Sequence, residues 1–268
     1  MPSHDLIRID RDARGVATVT ITNARKLNTL NSAVMTALVD AVDALGADST
    51  LRAVVLRGEG TRAFIGGADI TEMARLDAPS ARAFITLVHR SCDVFRRLPV
   101  PAIARIQGFV LGAGLEVAAA CDMRVAAADA RFGMPEVRIG IPSVVEAALL
   151  PQLIGWGRTR ELLLTGETID AATAERWGLV EEVVAAEDLD AAVERRVVAI
   201  LEGGPLAIRA QKALIRDWED LSIPDAIQRG IDSFAASWNS DEPARMMGGF
   251  LDAMRRRKLG PSNGGNDA

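Results

Sequence analysis

Hydrophobic and polar positions along this chain fall into two regimes, one before and one after Gly203. In the first, short runs with strand periodicity alternate with longer runs of helical periodicity. Alternation over 16–21 predicts an early strand. Asn31 or Ser32 then caps a helix whose apolar positions Met35, Leu38, Val39, Val42 and Leu45 share one face. A strand follows over 53–57, and a helix between Ser80 and Arg97 carries Phe84, Leu87, Val88 and Phe95. Pro99 and Pro101 stop that helix and lead into a strand over 102–106. Residues 115–120 read as the opening of another helix, with further strands at 123–127 and 180–184. This strand, turn and helix alternation predicts α/β layers with parallel pairing. Past Gly203-Gly204-Pro205 the pattern is helical only, at about 206–217, 225–238 and 242–258, and 260–268 forms a polar, glycine-rich tail expected to fray. The expected domains are therefore 1–202 and 203–268.

Composition narrows the chemistry. A chain of 268 residues, 49% hydrophobic and 25% charged, can bury a substantial core. A net charge of −5 argues against nucleic acid held by bulk electrostatics, although a few local cations suffice for phosphates. Cys92 and Cys121 lack metal-ligand spacing and sit in apolar surroundings, as inert core residues do. The two histidines are His4, near the start, and His89, within a predicted helix, where a surface or internally satisfied role is expected. A histidine triad or multi-histidine metal site is disfavoured, and without tyrosine no phenol can take part. Met1 to Asp5 lack the basic stretch and apolar core of a signal peptide, and no run reaches the roughly 18 apolar residues of a membrane span. The cytoplasm is the expected location.

Three segments carry candidate chemistry. Gln107-Gly108-Phe109-Val110-Leu111-Gly112-Ala113-Gly114-Leu115-Glu116 runs from strand to helix through small residues. Such a turn leaves backbone N–H groups unpaired at the positive end of the helix dipole, where they can stabilise an oxyanion. Glu116, one turn on, can act as a base or hold a water. The stretch also fits a glycine-rich packing turn. The second segment, Thr61-Arg62-Ala63-Phe64-Ile65-Gly66-Gly67-Ala68-Asp69-Ile70, again follows a predicted strand and admits close approach of a ligand to the backbone. The third, Phe132-Gly133-Met134-Pro135-Glu136, brings a second carboxylate twenty positions after Glu116. Each carboxylate has a plainer alternative: a solvated helix position or an ion pair with Arg124 for Glu116, and a loop carboxylate paired with Arg138 for Glu136.

In order and spacing these segments resemble the enoyl-CoA hydratase/isomerase (crotonase) superfamily over about residues 15–250. Lys26-Leu27-Asn28-Thr29-Leu30, Leu98-Pro99-Val100-Pro101, Cys121-Asp122-Met123-Arg124-Val125 and Trp177-Gly178-Leu179-Val180 extend the resemblance. It implies an α/β spiral of β-β-α units followed by a helical region that packs between subunits in trimers or hexamers. It also implies that the backbone N–H groups of Ala68 and Ala113 hold a thioester oxygen, with Gly66, Gly112 and Gly114 shaping the turns. Glu116 would deprotonate a water and Glu136 deliver a proton to C2. CoA would lie along Lys26, Asn28, Gly67, Asp69, Ile70 and Thr71, with Arg25, Lys26 and Arg62 as candidate phosphate partners. Lysines that some relatives carry where this chain has Thr71 and Ala253 are absent, which leaves 255–258 as another cationic source.

After Glu136 the chain departs from the glycine-rich turn of many hydratases, because Pro142 precedes Ser143-Val144-Val145-Glu146. These β-branched residues are expected to reshape the acyl pocket. Glu146 is either a helix N-terminal residue or a contact for a polar acyl group or a proton. The implied activity is hydration of a 2-enoyl-CoA. Alternatives are 3-enoyl-CoA isomerisation, a non-catalytic CoA-ester binder, and decarboxylation or hydrolysis of an acyl-CoA. No metal or separate cofactor is expected, since CoA arrives as part of the acyl-CoA thioester; neither nucleic acid nor a membrane is an expected partner.

Overall fold

The computed structural model describes residues 6–259, with side chains as far as 256. His4, the start of the chain, the tail 260–268 and the side chains of Arg257 and Lys258 lie outside the described residues. The chain divides into two compact units, Met1–Leu201 and Glu202–Ala268.

Among its described residues the first unit is built on two sheets. The larger contains β1 (Ile7–Arg11), β2 (Val16–Ile21), β3 (Ala53–Gly58), β5 (Ala102–Ile106), β7 (Met123–Ala127) and β10 (Glu182–Val184), in that spatial order. Its pairs are parallel except β1 with β2. The smaller sheet contains β4 (Ala63–Ile65), β6 (Phe109–Leu111), β8 (Arg131–Gly133) and β9 (Thr168–Asp170), parallel except where β9 joins.

Along the chain a strand of the large sheet is followed by one of the small sheet and then by helix. Thus β3 and β4 lead to α2 (Ile70–Met73) and α3 (Ala78–Arg97), β5 and β6 lead to α4 (Ala113–Ala120), and β7 and β8 lead through short 3-10 turns to α5 (Leu150–Thr165). This repeat is the β-β-α spiral that the resemblance implied. The first helix, α1 (Ser32–Gly46), starts at Asn31, whose side chain accepts the Val34 N–H; Met35, Leu38, Val39, Val42 and Leu45 are all buried, as their spacing predicted. An Asp77–Ser80 capping box opens α3, and Phe84, Val88, Cys92 and Phe95 bury its inner face. Cys92 and Cys121 are buried free thiols. The unit is completed by α6 (Ala171–Trp177) and by α7 (Leu189–Glu202), which buries Leu189, Ala192, Val193, Val197 and Ile200.

The second unit comprises α8 (Pro205–Asp220), α9 (Ile223–Ser237) and α10 (Glu242–Leu259). The buried Glu242 accepts the Leu206 and Ala207 N–H groups at 3.0 and 2.8 Å, closing the start of α8 with a side chain from α10. By contrast, Ile223, Ile227, Ile231, Phe234 and Trp238 of α9 are all exposed.

Candidate active site

Peptide geometry at the end of β4 turns one donor outward. Gly67 has φ +105°, a conformation that glycine adopts without strain. The Leu30 N–H donates to the Gly67 carbonyl at 2.9 Å, and the Asp69 N–H donates to the Leu30 carbonyl at 2.8 Å. This parallel bridge uses the peptides on either side of Ala68, so the Ala68 N–H faces away from Leu30 and has no acceptor among the described residues. Asp69 then caps α2 by accepting the Thr71 N–H at 2.9 Å, and Lys26 Nζ lies 3.4 Å from its carboxylate. Ile70 and Thr71 are exposed at the start of that helix.

A second donor comes from the next strand of the small sheet. Gly112, at φ +51°, receives the chain from β6 and donates its N–H to the Gly133 carbonyl at 2.9 Å. Its own carbonyl accepts the N–H groups of Leu115 and Glu116. Ala113 is the first residue of α4, so its N–H has no intrahelical partner and no other acceptor among the described residues. Gly114 allows this helix to press on β4: a Cβ there would lie 2.2 Å from the Ile65 carbonyl oxygen. Gly66 is less tightly held: a Cβ there would lie 3.0 Å from Leu27.

Both donors line one cavity of about 750 Å³ together with Glu116 and Glu136. Phe84, Ile85, Val88 and Val144 form part of its apolar wall. Glu116 is 5% exposed, and its Oε1 accepts the Ala147 N–H at 3.3 Å. Burial, then the charge of Glu136, pushes its pKa up to about 8, against the opposing hydrogen bond from Ala147. At neutral pH the Glu116 carboxyl therefore holds a proton. Glu136 sits in the 3-10 turn Pro135–Ile139, and its Oε2 accepts the Ser143 hydroxyl at 2.8 Å.

The alternative ion pairs are not made. Arg124 pairs with Glu181 and also donates to the Leu179 carbonyl at 2.9 Å, while Arg138 donates to the Thr165 carbonyl. Both catalytic candidates are thus left to the cavity.

Other expected residues take different places. The Asn28 side chain is fully buried; its Nδ2 donates to the Glu59 and Ala63 carbonyls and its Oδ1 accepts the Asn23 N–H. It braces the backbone at φ +55°, and leaves a ligand only the neighbouring main chain. Ser143 holds Glu136 instead of lining the acyl cavity, whereas Val144 does line it. Glu146 opens the 3-10 turn Val145–Leu149, but it is only 4% exposed and its Oε1 lies 2.7 Å from His89 Nδ1. The sequence carried no sign of that pairing, because its members are 57 positions apart. Arg25 and Arg62 are exposed. Among the described residues no group of three or more His, Cys, Asp or Glu side chains is arranged to hold a metal ion, and no helix is long and apolar enough to cross a membrane.

Comparison with known proteins gives a consistent result. The sequence model of the enoyl-CoA hydratase/isomerase family matches residues 11–255. The chain is 35% identical to a crotonyl-CoA hydratase of Syntrophomonas wolfei over 238 residues, spanning 88% of this chain and 92% of that one. It is 34% identical to a short-chain-enoyl-CoA hydratase of Clostridium acetobutylicum, spanning 91% and 93%. The crystal structure of an enoyl-CoA hydratase from Mycobacterium smegmatis superposes with a TM-score of 0.89 at 32% identity, covering 92% of this chain and 96% of that one.

Proposed function

Because the chain belongs to the enoyl-CoA hydratase/isomerase family, we propose that it adds water reversibly across the 2,3 double bond of a 2-enoyl-CoA. The observation that carries this reading is the convergence of two outward backbone donors and two glutamates, Glu116 and Glu136, on one cavity. The Ala68 and Ala113 N–H groups bind the thioester oxygen and polarise the conjugated system. Charge then builds on that oxygen as an enolate, in a site whose donors need no reorganisation. The oxygen of a water held between the carboxyls bonds to C3, a water proton passes to a carboxyl, and a carboxyl proton passes to C2. Mass and charge balance with the pair ending as it began.

The pair must share one proton for this, and burial beside Glu136 favours its resting on Glu116. If Glu116 takes the proton from water and Glu136 supplies C2, the resident proton has to cross to Glu136 once substrate and water enter. A water touching both carboxyls is the path.

For CoA, Lys26 beside Asp69 and the exposed Arg25 and Arg62 are the candidate phosphate contacts. No metal or group beyond the CoA ester enters the reaction. The exposed apolar face of α9 supports self-association, in the trimers or hexamers expected, and the expected setting remains the cytoplasm.

Loss of the conjugated enoyl absorbance on mixing with crotonyl-CoA, with a 3-hydroxyacyl-CoA product by mass spectrometry, tests the reading. Hydration by the parent and not by Glu136→Gln is expected. A double-bond isomer from a 3-enoyl-CoA without added water would overturn it.

A further inference from the structure

His89, half-exposed on α3, pairs with the buried Glu146; neither lines the cavity or has a part in the reaction as described. Glu146 belongs to a turn packed against α3, α4 and α5. Val145, just before it, is held at φ +40°, an unfavourable conformation for a β-branched residue that persists only when its surroundings enforce it. On one side of this strained position Val144 lines the acyl cavity; on the other, the Ala147 N–H donates to Glu116. The fixed point between them is the buried Glu146, whose Oε1 meets His89 and whose carboxyl also faces the buried Cys92 thiol.

We propose that His89 and Glu146 are a positioning pair: together they lock the turn whose Ala147 N–H hydrogen-bonds Glu116. The inference rests on the hydration reading for its effect on turnover, although the coupling to Glu116 exists without substrate.

The groups around Glu146 give the coupling a direction. From α3 it faces His89, Cys92 and Arg96, and from α4 it acts on Glu116; the opening of α5, from Leu150 to Gly157, carries no titratable side chain. Burial raises the Glu146 pKa, while the His89 hydrogen bond and the Arg96 charge act to keep it ionised. The charge of Glu146, added to burial and to Glu136, favours the protonated form of Glu116. Neutralising Glu146 therefore lets Glu116 lose its proton at lower pH. Removing His89 has the same result by another route, since the stranded carboxyl takes up a proton more readily.

The test compares the parent with Glu146→Gln, His89→Ala, the double variant and His89→Asn, whose amide can replace the Nδ1 donor. Two quantities are followed against pH: kcat with crotonyl-CoA, and the infrared carboxylic-acid band that Glu116→Gln removes, recorded without substrate. Both single variants should move the alkaline fall in kcat, and the loss of the band, together to lower pH. KM should stay within about twofold of the parent. The double variant should shift no further than either single one, and His89→Asn should restore the parent profile. Unmoved profiles, or shifts that add in the double variant, would overturn the pair. If the parent does not hydrate crotonyl-CoA but the infrared shifts appear, the pairing stands and only the hydration reading fails.

Discussion

Glu136 Oε1 occupies the space where Gly112 would carry a side chain: a Cβ built there would lie only 2.2 Å from that oxygen. The glycine that turns the chain toward the proposed oxyanion donor at Ala113 is therefore also the floor on which the Glu136 carboxylate rests. Gly112→Ala should displace Glu136 and strain a backbone at φ +51°. A fall in kcat of about 100-fold or more is expected, with a stability loss of about 1–3 kcal/mol. Steady-state kinetics and thermal denaturation on the same sample separate the two effects.

Glu116 links catalysis to stability through pH. Its folded-state pKa, about 8, lies above its ordinary value of 4.5. The folded state consequently binds a proton that the unfolded state gives up as pH rises from about 4.5 to about 8. Its favourable contribution is complete below that window and is lost through it. Glu116→Gln should remove this dependence, making the variant more stable than the parent by a few kcal/mol at pH 8.5 and nearly equal to it at pH 4.5. Its turnover should nevertheless fall by at least about 100-fold. Urea denaturation at the two pH values tests the sign, and a parent that gains stability with rising pH through this window would refute it.

Gly114 controls how closely the two donors approach each other. A methyl group there would lie 2.2 Å from the Ile65 carbonyl oxygen, so Gly114→Ala must push α4 away from β4. The displaced Ala113 N–H can no longer act with that of Ala68. A loss of about 2–4 kcal/mol of transition-state stabilisation is expected, read as kcat/KM. The apolar cavity wall is left intact, so binding of a saturated acyl-CoA should weaken less than turnover does.

Phosphate recognition predicts a different kinetic signature. Lys26 and Arg62 are exposed and do not line the cavity that holds Glu116 and Glu136. Reversing either charge to glutamate should raise KM by about tenfold and leave kcat within about twofold of the parent. The KM of the parent should also rise with added salt. An equal loss in kcat would instead tie these residues to the chemistry.

Much of the fold is legible because burial imposes period. Met35, Leu38, Val39, Val42 and Leu45 announce α1, and the alternation over Val16–Ile21 announces β2, because one face of each is apolar. The strand β1 gives no such signal, since only Ile7 of its residues is buried. Three-residue strands such as β4 and β6 are too short to establish any period, and their sequences read as glycine-rich turns. That is why the small sheet went unpredicted although every catalytic turn adjoins it.

The candidate site divides in the same way. Glu116 and Glu136 stand out by residue type beside small-residue turns, and the structure brings both to one cavity. The Ser143 contact to Glu136 and the internal saturation of Asn28 depend on partners from other segments. Local spacing carries no information about such meetings. Arg138 misleads for the same reason: it lies two positions from Glu136, yet it donates to Thr165 instead.

The parallel pairing of β4 with β6 has a consequence for how this protein can change. Each oxyanion donor rides just beyond the end of one of these adjoining strands, at Ala68 and at Ala113. Their separation is set by main-chain hydrogen bonding and by the absence of side chains at Gly114 and Gly67, while the cavity wall where the proposed acyl group would lie comes from Val144 and from Phe84, Ile85 and Val88 of α3. On the proposed reading, the part that would activate the thioester and the part that would choose the acyl chain are therefore inherited on different segments. Replacements at Ile141, Val144 or Ile85, which line the cavity without holding either glutamate, can sample new substrates while the oxyanion geometry stays fixed, and there a change of diet can begin without first losing the reaction.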